Sequence, residues 1–467
     1  MSGPRVNSDV PQTRPWRVIV AYALMLAAAA ALFFVIRAFG ESPSSAATGT
    51  TTAQPRLQSP TGDVLFHVLL ALVAIIVTGR GLGLLFTRLG QPPVIGEVIA
   101  GILLGPSLLG RISPEAMNFL LPGNVLPYLG VLAQLGVILY MFLVGLELNA
   151  GLLRSRAHTT LAISHASIVA PFLLGAGLAL WLHRDLAPAG VSFTSFALFM
   201  GIAMAITAFP VLARILTDRR IDKTELCVMA LSCAAVDDLT AWCLLAFVVG
   251  VAKAEVAGAL ETTLLALGYL TLMFGVVRPL ATRLALRFPV DDLPPLVVGG
   301  VLIALLLSAL ATEAIGVHAI FGAFLLGAII PHDSAIARVF HHKLEDFIAI
   351  LLLPAFFAYT GMRTEIGLVA GMEQWLMCGV IILVATIGKF GGTFVAARLT
   401  GIDGRTSAAL GVLMNTRGLM ELIVLNIGLD LGVISPTLFA MMVLMALATT
   451  LATTPVLQWL QRAPLAA

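Results

Sequence analysis

The chain has 467 residues, 59% hydrophobic and only 11% charged, whereas a soluble domain carries about 25% charged residues. With a mean hydropathy of +1.01, it reads as a polytopic membrane protein with no soluble domain of useful size. Net charge is +2, which argues nothing about nucleic acid, and no nucleic-acid partner is expected. Cys227, Cys233, Cys243 and Cys378 all fall in apolar runs. They form neither a CxxC nor a Cys/His pattern, so no structural metal, disulfide framework or bound cofactor is expected.

About 20 apolar residues cross the hydrocarbon, each pairing its backbone groups within its own helix. Residues 1–39 supply a short tail and an extra N-terminal helix, near 16–39. Its apolar stretch is longer than a signal-peptide core, and no clean cleavage site follows it. A Ser/Thr/Pro linker, 40–63, is too polar to pack a core. The membrane domain then runs over 64–462, in about thirteen spans near 64–86, 92–109, 125–147, 157–181, 192–216, 224–252, 256–285, 293–311, 315–331, 346–361, 375–398, 407–428 and 433–459. Arginine and lysine crowd alternate connections, such as those holding Arg154, Arg156, Arg219, Arg220 and Lys223. That places both termini in the cytoplasm. The strong preference for arginine over lysine suits a GC-rich bacterial genome, and a bacterial plasma membrane location is expected. No regulatory domain is expected after the last span. Gly79-Arg-Gly-Leu-Gly83 is no dinucleotide fingerprint, because no βαβ unit surrounds it.

A faint repeat divides the membrane domain into halves at about 92–252 and 315–459. Gly96 and Gly101 in one aliphatic run match Gly322 and Gly327 in another. The following span in each half ends on a glycine, Gly145 or Gly361. Two spans later come Thr207-Ala208-Phe209-Pro210 and Asn415-Thr416-Arg417-Gly418. An odd number of helices separates the matched members, so the halves have opposite topology, as in many secondary transporters. Pro210 removes a backbone donor, and the polar Asn415–Gly418 stretch breaks an otherwise apolar run. Both sites are read as interrupted helices whose ends meet at mid-depth.

Asp237 and Asp238 sit side by side in the apolar run 226–252. Each charge near the bilayer centre costs roughly 2.5–3.5 kcal/mol on insertion scales, so compensation is required. Lys389, between Gly388 and Gly391-Gly392, is the expected ion-pair partner of Asp237, the glycines letting another helix approach. Adjacent residues project about 100° apart on a helix, so Asp238 can face a water-lined cavity while Asp237 faces the lysine. A desolvated carboxylate holds a proton or a dehydrated monovalent cation, but not both. That competition couples two flows. Arg417 keeps its proton throughout and is expected to brace the interrupted helix or repel cations at rest. Glu97 and Glu421, also within spans, are secondary candidates read chiefly as helix–helix partners. Glu313 and His318 are placed at a helix end. His332, His341 and His342 are placed in a cytoplasmic loop, where a pH-sensing role is the alternative to a passive one.

At these residues the chain resembles the second family of monovalent cation:proton antiporters, the group holding the Kef-type proteins and the plant cation/proton exchangers. The resemblance covers roughly 64–460. Its most specific pieces are Gln91–Gly110, Thr207–Arg214, Val236-Asp237-Asp238 and Asn415–Ile423. It implies an all-α, thirteen-helix antiporter fold with inverted repeats and two broken crossing helices. It further implies a homodimer in membrane lipid, an elevator-like motion, and exchange of protons for sodium or potassium rather than enzyme activity. By the same resemblance Asp238 is the ion- and proton-binding aspartate, Asp237 pairs with Lys389, and Thr207, Ala208, Thr416 and Arg417 stand at the two crossings. No counterpart of the Kef nucleotide-binding domain is expected. Two other readings stay open: a cation channel or potassium-efflux protein, and an intramembrane aspartyl protease. The protease is disfavoured because adjacent carboxylates on one helix diverge and no Gly-x-Gly-Asp motif is present.

Overall fold

The computed structural model describes residues 15–40, 64–147, 157–218, 224–253, 256–288 and 293–461. The linker from residue 41 on lies outside them, as do the connections holding Arg154, Arg156, Arg219, Arg220 and Lys223. Among the described residues every regular element is helical. The first elements are α1 (Pro15–Gly40), α2 (Val64–Arg88), α3 (Pro93–Leu104), two short helices α4 (Leu109–Ile112) and α5 (Pro114–Leu120), and α6 (Leu126–Glu147). Next come α7 (Ala157–Leu186), α8 (Phe193–Ala205), α9 (Phe209–Asp218) and α10 (Glu225–Lys253). A single π-turn, 273–277, joins α11 (Val256–Leu272) to α12 (Arg278–Arg287), and α13 (Pro295–Ile315) and α14 (Ala319–Ile329) follow. A second π-turn, 348–352, joins α15 (Ala335–Phe347) to α16 (Leu353–Arg363). The chain closes with α17 (Gly371–Leu399), α18 (Gly404–Met414), α19 (Leu419–Asp430) and α20 (Pro436–Gln461).

Ten of the described helical stretches are long and apolar enough to cross a membrane, eleven when α18 and α19, bent by 43°, count as one span. Three further apolar helices are shorter: Ala27–Ala38, α8 and α14. Fourteen straight, full-length rods are therefore not what the sequence builds. α8 is short because the chain breaks at 206–208. α14 stops before Pro331, since proline disfavours the helical conformation of the residue preceding it. The sequence reading also needs correcting at 335–347: His341 and His342 are not in a loop but on α15, continuous with α16 through the π-turn. Glu313 stands near the end of α13, where its Oε2 accepts the Ala319 N–H at the start of α14 (2.9 Å). His318 occupies the N-cap position of that helix.

Lipid is as apolar as leucine, so membrane helices gain little from hiding apolar side chains from one another and associate through close packing instead. Four glycines do this in two matching seams. A Cβ on Gly101 would lie 2.3 Å from the Ala358 carbonyl oxygen of α16, and one on Gly361 would lie 2.4 Å from the Val98 carbonyl oxygen of α3. In the other seam, a Cβ on Gly145 would meet the Phe324 oxygen at 2.3 Å, and one on Gly327 the Phe142 oxygen at 2.3 Å. Thus α3 abuts α16 and α6 abuts α14, backbone against backbone. Each glycine of one sequence half faces its counterpart's neighbour in the other half.

The remaining helices surround the two breaks. α7 lies against both α8 and α17. Its approach to α17 depends on Gly388 and Gly392, where an added Cβ would fall 2.7 Å from Pro171 Cα and from the Ala166 oxygen. α1 packs outside α7, with the Phe33 and Phe172 ring centroids 6.0 Å apart.

Candidate functional site

Thr207 and Ala208 lie in the extended stretch between α8 and α9, and Asn415 to Gly418 lie between α18 and α19. The two breaks cross. The Ala208 N–H donates to the Thr416 carbonyl (3.0 Å), and Thr207 Oγ1 donates to the Met414 carbonyl (3.1 Å). Each break thereby satisfies backbone groups that the other's missing turn leaves without helical partners. Pro210 does not kink a continuous helix. It stands second in α9, a position where a missing backbone N–H costs nothing. Gly418 is needed for contact rather than for a turn, since a Cβ there would lie 2.7 Å from Val211 Cγ2.

Two buried cations hold the end of α8. Lys389 Nζ donates to the Ala205 carbonyl at 2.5 Å. Arg417 Nη1 donates to the Ala203 carbonyl (3.1 Å) and Nη2 to that of Met204 (2.8 Å). Carbonyls at a helix C-terminus carry partial negative charge, so cations are favoured there. Arg417 is fixed further by Glu421, whose Oε2 accepts from Nη1 at 3.1 Å. Its backbone is tied to α20: the Arg417 N–H donates to Thr450 Oγ1 (2.9 Å), and that hydroxyl donates to the Arg417 carbonyl (2.7 Å).

The adjacent aspartates are in opposite circumstances. Asp237 is fully buried and accepts from four side chains. Ser164 Oγ donates to Oδ1 (2.5 Å), while Ser167 Oγ (2.7 Å), Thr207 Oγ1 (2.9 Å) and Lys389 Nζ (2.8 Å) donate to Oδ2. Asp238, 5% exposed, has no partner for Oδ1 among the described residues. It lines a small cavity with Ile206, Ala241, Trp242, Leu245, Met420 and Val424. Ile206 belongs to one break and Met420 opens α19 just after the other, so this cavity lies beside the crossing. Asn415 Oδ1, Thr416 Oγ1, Arg417 Nε and Glu421 Oε1 are also buried without partners among the described residues.

Thr207, Ala208, Asp237, Lys389 and Thr416 thus form one hydrogen-bonded cluster, with Asp238 on its cavity side and Arg417 and Glu421 at the neighbouring end of α8. Glu97 does not join it. That side chain is buried on α3 facing α2, where Gly79 lies 3.8 Å away by its Cβ position and Arg80 is the nearby charge. Ser164 and Ser167 were absent from the sequence reading. Their signal was an i, i+3 pair of hydroxyls on one face of an apolar helix. Hydroxyls at such depth commonly bond their own helix, as Thr240, Thr386 and Thr393 do here.

The Na(+)/H(+) antiporter NhaS4 of Synechocystis is 44% identical over 405 residues, covering 86% of this chain and 99% of that protein. Cation/H(+) antiporter 19 of Arabidopsis thaliana is 39% identical over 402 residues, 85% of this chain but 50% of its own. The chain therefore spans about half the length of that plant relative. Among solved structures, the sodium proton antiporter MjNhaP1 of Methanocaldococcus jannaschii superposes with a TM-score of 0.62, covering 85% of this chain and 96% of that one. At 14% identity this likeness shows the fold alone. Residues 62–462 match the transmembrane sodium/hydrogen exchanger family, and with crossed broken helices about a buried aspartate pair this chain belongs to it.

Proposed function

We propose that this protein exchanges protons for a monovalent cation, sodium or potassium, across the membrane, and that Asp238 is the carboxylate that takes each in turn. One observation carries the assignment of the site. Of two neighbouring buried carboxylates, Asp237 accepts from four side-chain donors, three of them on Oδ2, whereas Asp238 lines a small cavity and its buried Oδ1 has no partner among the described residues. A carboxylate has about four lone-pair directions, so Asp237 has little left to offer an ion. Asp238 can bind a proton or a dehydrated cation, and binding one excludes the other.

The surrounding groups divide the remaining work. Lys389 and Thr207 hold Asp237. Arg417, held by Glu421, braces the end of α8, and Asn415 and Thr416 contribute the crossing of the second broken helix. The paired glycine seams support two repeats of opposite topology, 92–252 and 315–459. The placement of arginine and lysine supports cytoplasmic termini in a bacterial plasma membrane, and kinship with antiporters supports a homodimer. The test is exchange in proteoliposomes holding a pH dye, with sodium, potassium, rubidium and lithium added in turn. Wild type is expected to respond to at least one cation. Asp238→Asn is expected to remain folded and give no exchange; cation-driven proton flux in that variant would remove Asp238 from its role.

A further inference from the structure

We infer that Ser164 and Ser167 are positioning residues of the exchange site: they carry the charge of Asp237 whenever Lys389 lets go, so that the buried ion pair can open and close during the cycle. The inference rests on the exchange reading above and extends it by giving the two α7 serines a task in the cycle.

An isolated buried ion pair resists opening, because separation strands two uncompensated charges. This pair is built differently. Asp237 has three hydroxyl donors besides the ammonium, with Ser164 the one recorded on Oδ1. Two of those hydroxyls are shared. Ser167 Oγ lies 2.8 Å from the Ser164 carbonyl as well as 2.7 Å from Asp237 Oδ2, and Thr207 Oγ1 lies 3.1 Å from the Met414 carbonyl as well as 2.9 Å from Oδ2. Each has one hydrogen for two acceptors. Rotation about the C–O bond moves that hydrogen wholly onto the carboxylate when the ammonium withdraws. Lys389 has its own second support, the Ala205 carbonyl at the end of α8. Both partners therefore have somewhere to stand when the bond between them is broken.

The placement is specific. Ser164 and Ser167 are fully buried, and their helix reaches α17 at Gly388 and Gly392, the glycines that bracket Lys389. The close approach that seats α7 is thus the same one that brings its hydroxyls to the lysine's partner.

The test is a double-mutant cycle on exchange in proteoliposomes, comparing wild type, Lys389→Gln, Ser164→Ala/Ser167→Ala and the combination. Lys389→Gln is expected to lower exchange but leave it measurable, because three hydroxyls still hold Asp237. The serine pair alone is expected to lower exchange several-fold. Combined, the changes are expected to reduce exchange at least ten-fold beyond the product of the separate effects. Ser164→Thr/Ser167→Thr in the Lys389→Gln background, which keeps both hydroxyls, is expected to retain the Lys389→Gln level. Purely multiplicative effects overturn the inference, as does a Lys389→Gln variant as inactive as Asp238→Asn. If the combination does not fold, Ser164→Ala/Lys389→Gln and Ser167→Ala/Lys389→Gln decide by the same criterion. Exchange persisting in Asp238→Asn would defeat the site itself; multiplicative effects with Asp238→Asn inactive would defeat only the role of the serines.

Discussion

Lys389 and Arg417, from different helices, divide the last three carbonyls of α8 between them: Ala205 goes to the lysine, and Met204 and Ala203 to the arginine. The end of one broken helix is therefore held by two cations, one delivered by α17 and one by the other break. Their tasks differ with their shapes. The guanidinium reaches two carbonyls and Glu421 at once with a planar fork, whereas the ammonium is a point charge shared between Ala205 and Asp237.

Arg417→Ala should destabilise the protein by about 3–5 kcal/mol, since it leaves Glu421 buried without its cation. Arg417→Ala/Glu421→Gln should recover part of that loss. Arg417→Lys should remain folded but exchange poorly, because a compact ammonium cannot span three acceptors that the two ends of a planar guanidinium reach together. Unfolding in detergent, followed by tryptophan fluorescence, measures the first two; proteoliposome exchange measures the third. Equal stability of Arg417→Ala and Arg417→Ala/Glu421→Gln would show that Glu421 is not the group left stranded.

The glycine seams give a sharper contrast. Gly361→Ala and Gly145→Ala each place a Cβ within 2.4 Å of a carbonyl oxygen on the facing helix, so both should melt well below wild type. Overpacking typically costs 1–3 kcal/mol, and backbone atoms yield less readily than side chains. Gly177→Ala on α7, where nothing lies within 4 Å of the added Cβ, should be neutral or stabilising by up to about 1 kcal/mol through helix propensity. Melting temperatures of the three variants check this. A common shift for all three would mean that the seams bear no special load.

Asp403 caps α18, accepting the backbone N–H of Arg405 (2.9 Å) and of Thr406 (3.0 Å). Hydrogen bonds from Thr406 are the main reason its carboxyl is held below the usual range, followed by the Arg405 bond and the Arg398 charge. The sign follows from linkage. The ionised cap stabilises the fold at pH values above the unfolded carboxyl's value of about 3.9, and this contribution fades as pH falls through the lower folded value. Asp403→Ala should therefore cost about 1 kcal/mol at neutral pH and progressively less in acid. Melting curves from pH 7 down to pH 3 read the difference, which should narrow.

At the far end of α19, Arg363 of α16 donates to Asn426 Oδ1 (3.0 Å) and Asp430 Oδ1 (2.6 Å), and Asn426 Nδ2 donates to Thr360 Oγ1 (2.8 Å). Asp430 is nearly half exposed and Asn426 is buried. Asp430→Asn should cost below about 1 kcal/mol. Asn426→Ala, which leaves buried donors and acceptors unmet, should cost about 1–3 kcal/mol. Thermal melts of the two variants settle the order, and a larger effect at 430 would reverse it.

Much of this was legible in the chain itself. Asp237, Asp238 and Lys389 announced themselves because ionised groups in apolar runs are expensive. Thr207 and Asn415–Gly418 did so because small polar residues interrupt long aliphatic stretches. Helix length was less legible: α8 and α14 end where a break or a following proline intervenes, and an apolar window slides across both. His341 was misplaced because α15 is amphipathic, and the helix period competes poorly with a loop-like polar composition. Ser164 and Ser167 were silent for another reason. A hydroxyl in an apolar helix most often returns its hydrogen to its own backbone, and only the folded structure shows that Ser164 and Ser167 also reach Asp237 on a neighbouring helix.

Where main chain touches main chain at Gly101, Gly145, Gly327 and Gly361, no side chain lies between the helices to be compressed or rearranged. Within each seam, α3 with α16 and α6 with α14, the two partners can only shift as one solid abutment. A displacement of one partner against the other would meet main chain, which has no rotamer to change, rather than a side chain that can step aside.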